Sequence, residues 1–133
     1  MQKVFTVGVF DYFHYGHLRL FQRAKEYGDY LIVAVQDEDY ILRCKPDATI
    51  CYSTEQRVEI ISALRVVDEV CTYESVDEIV KKVDFDVFVV GGDQLHSGFQ
   101  RAMEWCQENG RKVVRLERTK GISSSQIKQN TMK

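Results

Sequence analysis

The most constraining feature of this chain is its opening: the run Val4-Phe5-Thr6-Val7 leads straight into Gly8-Val9-Phe10-Asp11-Tyr12-Phe13-His14-Tyr15-Gly16-His17. The first four residues have the β-branched and aromatic bias of a buried strand. Helical periodicity follows the turn, from about Leu18 to Tyr27. A strand that ends in a polar, glycine-bearing turn and restarts as a helix puts backbone N–H groups and the positive end of a helix dipole at one spot. In an open α/β sheet that spot binds anions.

Two of the three histidines in the chain fall in this turn, three residues apart, with Gly16 just before the second. At a helix start both imidazoles can face one phosphate, and a glycine lets an oxygen approach the backbone. Each ring can donate a hydrogen bond, and a neighbouring phosphate favours its protonated form. A lone histidine is more often a satisfied core or surface residue. A pair within one strand-to-helix turn points to a ligand.

Further along, elements alternate. Gly28 is positioned to cap the first helix in the left-handed conformation, and Leu31–Val35 reads as a strand buried on both faces. Residues 36–52 form the longest irregular stretch, with a short helical turn over Asp39–Arg43 and the only proline, Pro46. Ser53-Thr54-Glu55-Gln56 opens a helix to about Leu64 as a capping box, and Val66–Thr72 is a third strand. Ser75-Val76-Asp77-Glu78 offers a second box for a helix to Val83. Val87–Val90 is a fourth strand, closed by Gly91-Gly92-Asp93. A helix over Phe99–Glu108, with Phe99, Ala102, Met103 and Cys106 inward, stops at Asn109-Gly110, and Lys112–Leu116 is the fifth strand. A last helix starts in the Ser123–Gln126 region, and the polar tail beyond Asn130 frays. Such alternation without hairpin signals predicts an α/β, Rossmann-like, doubly wound parallel sheet in one domain over residues 1–133. No GxGxxG fingerprint is present, which argues against a dinucleotide cofactor.

Charge and cysteine usage narrow the function. A net charge of −2 gives no general basic field for nucleic acid, so an anion site must be local. No apolar run reaches the ~18 residues of a membrane span. Met1-Gln2-Lys3 enters the first strand directly and leaves no room for a signal peptide, which predicts a cytoplasmic protein. Cys44, Cys51, Cys71 and Cys106 lack metal-like spacing and read as free thiols.

The GVFDYFHYGH stretch resembles the HxGH signature of the nucleotidyltransferase superfamily, in the GxFDxxHxGH frame of its cytidylyltransferase branch. Near the other end, Arg118-Thr119-Lys120-Gly121-Ile122-Ser123-Ser124-Ser125 resembles that branch's RTxGIS(T/S)(T/S). Chain length and pattern are most similar to the bacterial members that act on glycerol 3-phosphate. The resemblance implies strand order 3-2-1-4-5, with the candidate residues gathered at the ends of the first, fourth and fifth strands.

The resemblance also implies roles. His14 and His17 would hold the triphosphate and stabilise the transition state at its α-phosphate, while Lys45 and Arg118 would contact phosphate. Gly8, Val9, Phe10, Asp11, Gly16, Arg65, Gly92, Asp93, Thr119, Ile122, Ser123, Ser124 and Ser125 would build the nucleotide site. Asp11 would orient the turn and is a weak candidate for Mg²⁺, an ion implied by the triphosphate rather than by a ligand cluster. Arg65 and Asp68, in a stretch similar to RYVDEV, would belong to the site wall and a homodimer contact; the bland alternative is a local surface ion pair. One departure favours an ATP-using relative: Gly91-Gly92-Asp93 stands where glycerol-3-phosphate enzymes tend to read GDD, as in heptose adenylyltransferases. Arg65 and RTKGISSS favour CTP, with a small phosphorylated alcohol as acceptor. No aromatic cage for a choline-type acceptor is evident. A non-catalytic nucleotide sensor is the reading from another class, and the full set His14, His17, Lys45 and Arg118 argues against it.

Overall fold

The computed structural model describes residues 1–92, 94 and 96–117. Its elements are β1 (Lys3–Gly8), α1 (Tyr15–Lys25), β2 (Tyr30–Gln36), α2 (Glu38–Cys44), α3 (Thr54–Ser62), β3 (Glu69–Tyr73), α4 (Val76–Ile79), β4 (Val87–Gly91), α5 (Ser97–Glu108) and β5 (Lys112–Leu116). The five strands form one sheet in the order β3-β2-β1-β4-β5, and every pairing is parallel. This is the Rossmann-like α/β arrangement and strand order anticipated above. Chain direction reverses its sheet walk between β1 and β4, so the crevice at their C-terminal ends is the switch point.

The three central strands are buried on both faces because they alternate between two apolar clusters, while the edge strands β3 and β5 are largely half-buried or exposed. Phe5, Val7, Ile32, Ala34, Phe88 and Val90 face α4 and α5, whose Val76, Phe99, Ala102 and Cys106 complete that cluster. Val4, Leu31, Val33, Val35, Val87 and Val89 face α1 and α3 through Phe21, Ala24 and Ile61. Phe5 stacks on Phe85 and Phe88 with ring centroids 5.1 and 5.9 Å apart. Thr6, a polar residue inside β1, satisfies its hydroxyl by donating to the Val89 carbonyl at 2.9 Å.

Three local expectations are corrected. Gly28 does not cap α1 in the left-handed conformation: the cap is Glu26, right-handed, and the only glycine with positive φ among the described residues is Gly110. Gly28 is required for space instead, since a Cβ there would lie 2.6 Å from the Gln2 carbonyl oxygen and 2.7 Å from Val4 Cγ2. Ser75 is the N-cap of α4 but makes no capping bond; its hydroxyl donates to Asp77 Oδ1, two residues on. An aspartate that close competes with the backbone for the serine, and regular helix ends at Ile79 rather than Val83. The third strand begins at Glu69, and Val66 and Val67 pack on the α1/α3 side as loop. The box at Ser53 and Gln56 does form, with bonds of 3.0 and 3.2 Å. All four cysteines are free thiols.

Candidate active site

Between β1 and α1 the backbone takes an unusual path. Phe10 and Tyr12 both lie in the left-handed region, at φ 56° and 51°, with Asp11 between them. Each such residue costs roughly 1–2 kcal/mol, so the surroundings must hold the turn. The Phe10 ring is buried and packs edge-on against Phe21 and His17, with centroids 5.1 and 5.3 Å away. It also lies over Gly8, where a Cβ would approach the ring to 2.7 Å. Gly8 is therefore glycine to seat Phe10, and Phe10 in turn backs His17.

The two histidines build the start of α1 out of each other. His14 is the N-cap in extended conformation, and its Nδ1 accepts from the Gly16 N–H at 3.0 Å. His17 occupies the third helical position, and its Nδ1 accepts from the His14 N–H at 3.3 Å. This is a capping box made of imidazoles, with the rings stacked at 3.8 Å and inclined by 20°. A ring whose Nδ1 accepts is the tautomer that carries its proton on Nε2. Both rings thus present Nε2–H as donor from one helix start. Burial, helped by the neighbouring His14 ring, pulls the His17 pKa down to about 4, so His17 is a neutral donor at pH 7.

Two clamps fix this turn to its surroundings. The buried Asp11 carboxylate accepts from the Cys51 N–H at 2.7 Å and the Tyr52 N–H at 3.0 Å, drawing residues 51–52 over the turn. Arg57 on α3, fully buried, donates to the carbonyls of Val9 (2.9 Å), Gln36 (2.7 Å) and Tyr52 (3.1 Å) and to Thr54 Oγ1 (3.3 Å). One guanidinium therefore ties together the exits of β1 and β2 and the entry to α3, a task its planar fork suits and a lysine does not. Burial lowers its pKa, and Asp11, Glu38 and Asp37 oppose that shift. Across the switch point, Gln94 bridges the central strands: its Nε2 donates to the Val7 carbonyl at 2.9 Å and its Oε1 accepts from the Gly91 N–H at 2.8 Å.

Sequence reasoning passed over Arg57 and Gln94. Arg57 carried a readable signal, an arginine one helical turn before Ile61 on the inward face of a capped helix. Gln94 carried none. Of the residues singled out, Gly8, Val9, Phe10, Asp11, His14, Gly16 and His17 converge at the β1–α1 turn. Lys45 is the exposed C-cap of α2 and lines a cavity shared with Val9, Gln36 and the start of α5. Gly92 lies in the turn after β4. Asp93, Arg118, Thr119, Ile122, Ser123, Ser124 and Ser125 lie outside the described residues.

The family model described as cytidylyltransferase-like matches residues 5–130. The chain belongs to the cytidylyltransferase-like family. It is 38% identical to the glycerol-3-phosphate cytidylyltransferase of Bacillus spizizenii over 98% of this chain and 97% of that one. It is also 38% identical to the enzyme of the same name from Staphylococcus aureus, over 97% and 94% of the two chains. By those names the relatives are nucleotidyltransferases, and this chain is an enzyme of that class. A solved lipopolysaccharide core biosynthesis protein from Thermoplasma volcanium superposes with a TM-score of 0.76 at 25% identity, covering 90% of this chain and 98% of that one.

Two further implied roles can be placed on the structure of this family member. Arg65 is exposed in the turn that leads from α3 into β3, at the N-terminal edge of the sheet. That is the edge opposite the β1–α1 turn. Asp68, beside it, pairs with Lys25 at 2.5 Å and accepts from the Leu31 N–H at 2.8 Å, so its ionic partner is not Arg65. Desolvation opposes, but Lys25 and the Leu31 N–H prevail and hold the Asp68 carboxyl below its ordinary pKa. For Mg²⁺, both Asp11 oxygens accept backbone N–H groups, and among the described residues no group of three or more His, Cys, Asp or Glu is arranged as a metal site, so the ion belongs to the proposal for the triphosphate. No helix among them is long and apolar enough to cross a membrane.

Proposed function

We propose that the chain transfers CMP from CTP to a small phosphorylated alcohol, glycerol 3-phosphate being the favoured acceptor, and releases pyrophosphate. The observation that carries this reading is the reciprocal histidine cap, which aims two neutral Nε2–H donors from one helix start. In the reaction an oxygen of the acceptor phosphate forms a bond to the α-phosphorus of CTP. The bond from that phosphorus to the bridging oxygen breaks, and the electron pair leaves with pyrophosphate. The acceptor oxygen is already an anion, so no proton need be removed. What the protein must supply is in-line placement and donors aimed at the crowded α-phosphoryl oxygens. Neutral donors suit this task, because they stabilise charge as it concentrates without holding the ground-state triphosphate too tightly.

Lys45 and, by the family resemblance, Arg118 with the Ser123–Ser125 segment complete the phosphate contacts. Mg²⁺ enters as the companion of the triphosphate. Because Arg65 lies at the opposite edge of its own sheet, its place in a site wall requires a second copy, and the reading therefore includes a homodimer. The test is pyrophosphate release with CTP or ATP against a panel of phosphorylated alcohols. Release with CTP and glycerol 3-phosphate supports the proposal. Release with ATP alone sinks the base assignment, and tight CTP binding without release under any pairing identifies a sensor.

A further inference from the structure

The third histidine repeats, on the other central strand, the construction found in the β1–α1 turn. His96 is the N-cap of α5, in extended conformation, and its Nδ1 accepts from the Gly98 N–H at 3.1 Å. His14 does the same with Gly16 at 3.0 Å. A Cβ on Gly98 would lie 2.9 Å from His96 Cε1 and 3.1 Å from its Nδ1, so glycine is what allows the ring to fold back over its own helix. As with His14, an accepting Nδ1 leaves the ring proton on Nε2. A His-x-Gly cap thus follows β1 and another follows β4, the two strands that border the switch point.

Resting on the reading above, we propose that His96, together with Lys45 and Arg101, binds the phosphate of the acceptor substrate, across the cleft from the histidine pair that serves the nucleotide. These three side chains line a cavity of about 360 Å³ with Val9, Gln36 and Tyr40. That volume lies in the range of small-molecule sites. Its Val9 wall joins it to the β1–α1 turn, where Phe10, the next residue, backs His17. The His96 pKa is lowered, by burial first and then by Lys45 and Arg101, while Asp77 opposes. Both cations therefore act on the ring, and among the described lining residues the carboxylate set against them is Asp77. That carboxylate is already engaged by Arg101 Nε at 3.0 Å and by the Ser75 hydroxyl. With Arg101 and Asp77 offsetting each other, Lys45 leaves the described lining with one net positive charge, and with the neutral His96 Nε2–H donor and the remaining N–H groups of Arg101 this makes a cavity suited to an anion. An acceptor phosphate fits the chemistry best, because in-line displacement needs it on the side of the α-phosphorus away from the leaving pyrophosphate.

The simpler possibility is that His96 only caps α5. His96→Asn separates the two, since asparagine keeps the capping acceptor and loses the Nε2–H donor. The proposal expects this variant to raise KM for glycerol 3-phosphate by ~10-fold or more, with KM for CTP and melting temperature unchanged. A second measurement does not depend on turnover: the His96 imidazole Cε1–H resonance of the full-length chain, followed as glycerol 3-phosphate or inorganic phosphate is added alone. A saturable shift with either anion, absent with uncharged glycerol, supports the proposal. A silent His96 resonance overturns it, as does an unchanged acceptor KM in the variant or a resonance that moves with CTP but not with either phosphate. If the native chain releases no pyrophosphate while His96 still responds to phosphate, the reaction assignment has failed and the anion site stands.

Discussion

His17 takes up a proton near pH 4 when folded and near pH 6.5 when unfolded, because its ring is desolvated and lies against His14. Between those values the unfolded chain binds more protons, so stability rises with pH across that window. The contribution is complete above about pH 6.5 and is lost as pH falls toward 4, at up to roughly 1.4 kcal/mol per unit. Urea unfolding at pH 7 and pH 5 should therefore show a loss of stability in acid that is smaller in His17→Gln; equal losses would remove His17 as the cause. The same residue should matter more to the transition state than to the bound substrate. His17→Ala should lower turnover by roughly 10²–10³, the range for a lost oxyanion-type donor, with a smaller change in CTP affinity. Near-normal turnover in a stably folded variant would take His17 out of the chemistry. Arg57 acts at the same scale. Arg57→Lys cannot reach three carbonyls and Thr54 together and should leave buried acceptors unpaired, at about 1–3 kcal/mol each. Its thermal midpoint should fall well below that of the native chain; a midpoint within a degree would show that the clamp is dispensable.

At the scale of elements, the central strands were legible because they are continuous apolar runs, which a doubly covered parallel sheet demands, and the edge strand β3 was misplaced because its sequence lacks such a run. Lys112–Leu116 coincides with β5, and β1, β2 and β4 exceed the expected runs by one or two residues. Helix starts were legible where one residue had one task, as at Ser53. They failed where a neighbour competed, as Asp77 does for Ser75. Gly28 misled for a different reason: a sequence does not distinguish a glycine needed for its φ from one needed for its missing Cβ. The two cases can be told apart by substitution. Gly110, at φ 73° with open space around it, should lose about 1 kcal/mol as Ala and recover most of that as Asn. Gly28→Ala meets the Gln2 carbonyl at 2.6 Å and should cost about 1–3 kcal/mol, with no recovery as Asn. Denaturant midpoints of the four variants decide it. The site was legible in its histidines, whose pairing in one turn is a pattern. Gln94 was missed because its bond to the Val7 carbonyl spans 87 residues, Arg57 because its place on the inward face of α3 reads as core packing, and His96 because a lone histidine before a helix gives no pairing pattern.

For the whole molecule, the proposed homodimer follows from where Arg65 stands. Sedimentation at micromolar concentration should give twice the 15.5 kDa of one chain, and Arg65→Ala should lower activity most where dimers dissociate. A single-chain mass with full activity would sink that view. The clamps at the β1–α1 turn carry a different consequence. Asp11 and Arg57 grip residues 9, 36, 51 and 52 through main-chain N–H and C=O groups only. The architecture of the turn is therefore blind to which side chains those positions display. Val9 and Gln36 both wall the cavity beside His96. Their side chains can be exchanged without loosening the clamp, Val9 freely and Gln36 with the loss of its hydrogen bond to the Glu74 carbonyl, which makes the proposed acceptor pocket evolvable: one scaffold can be retuned at modest cost in stability.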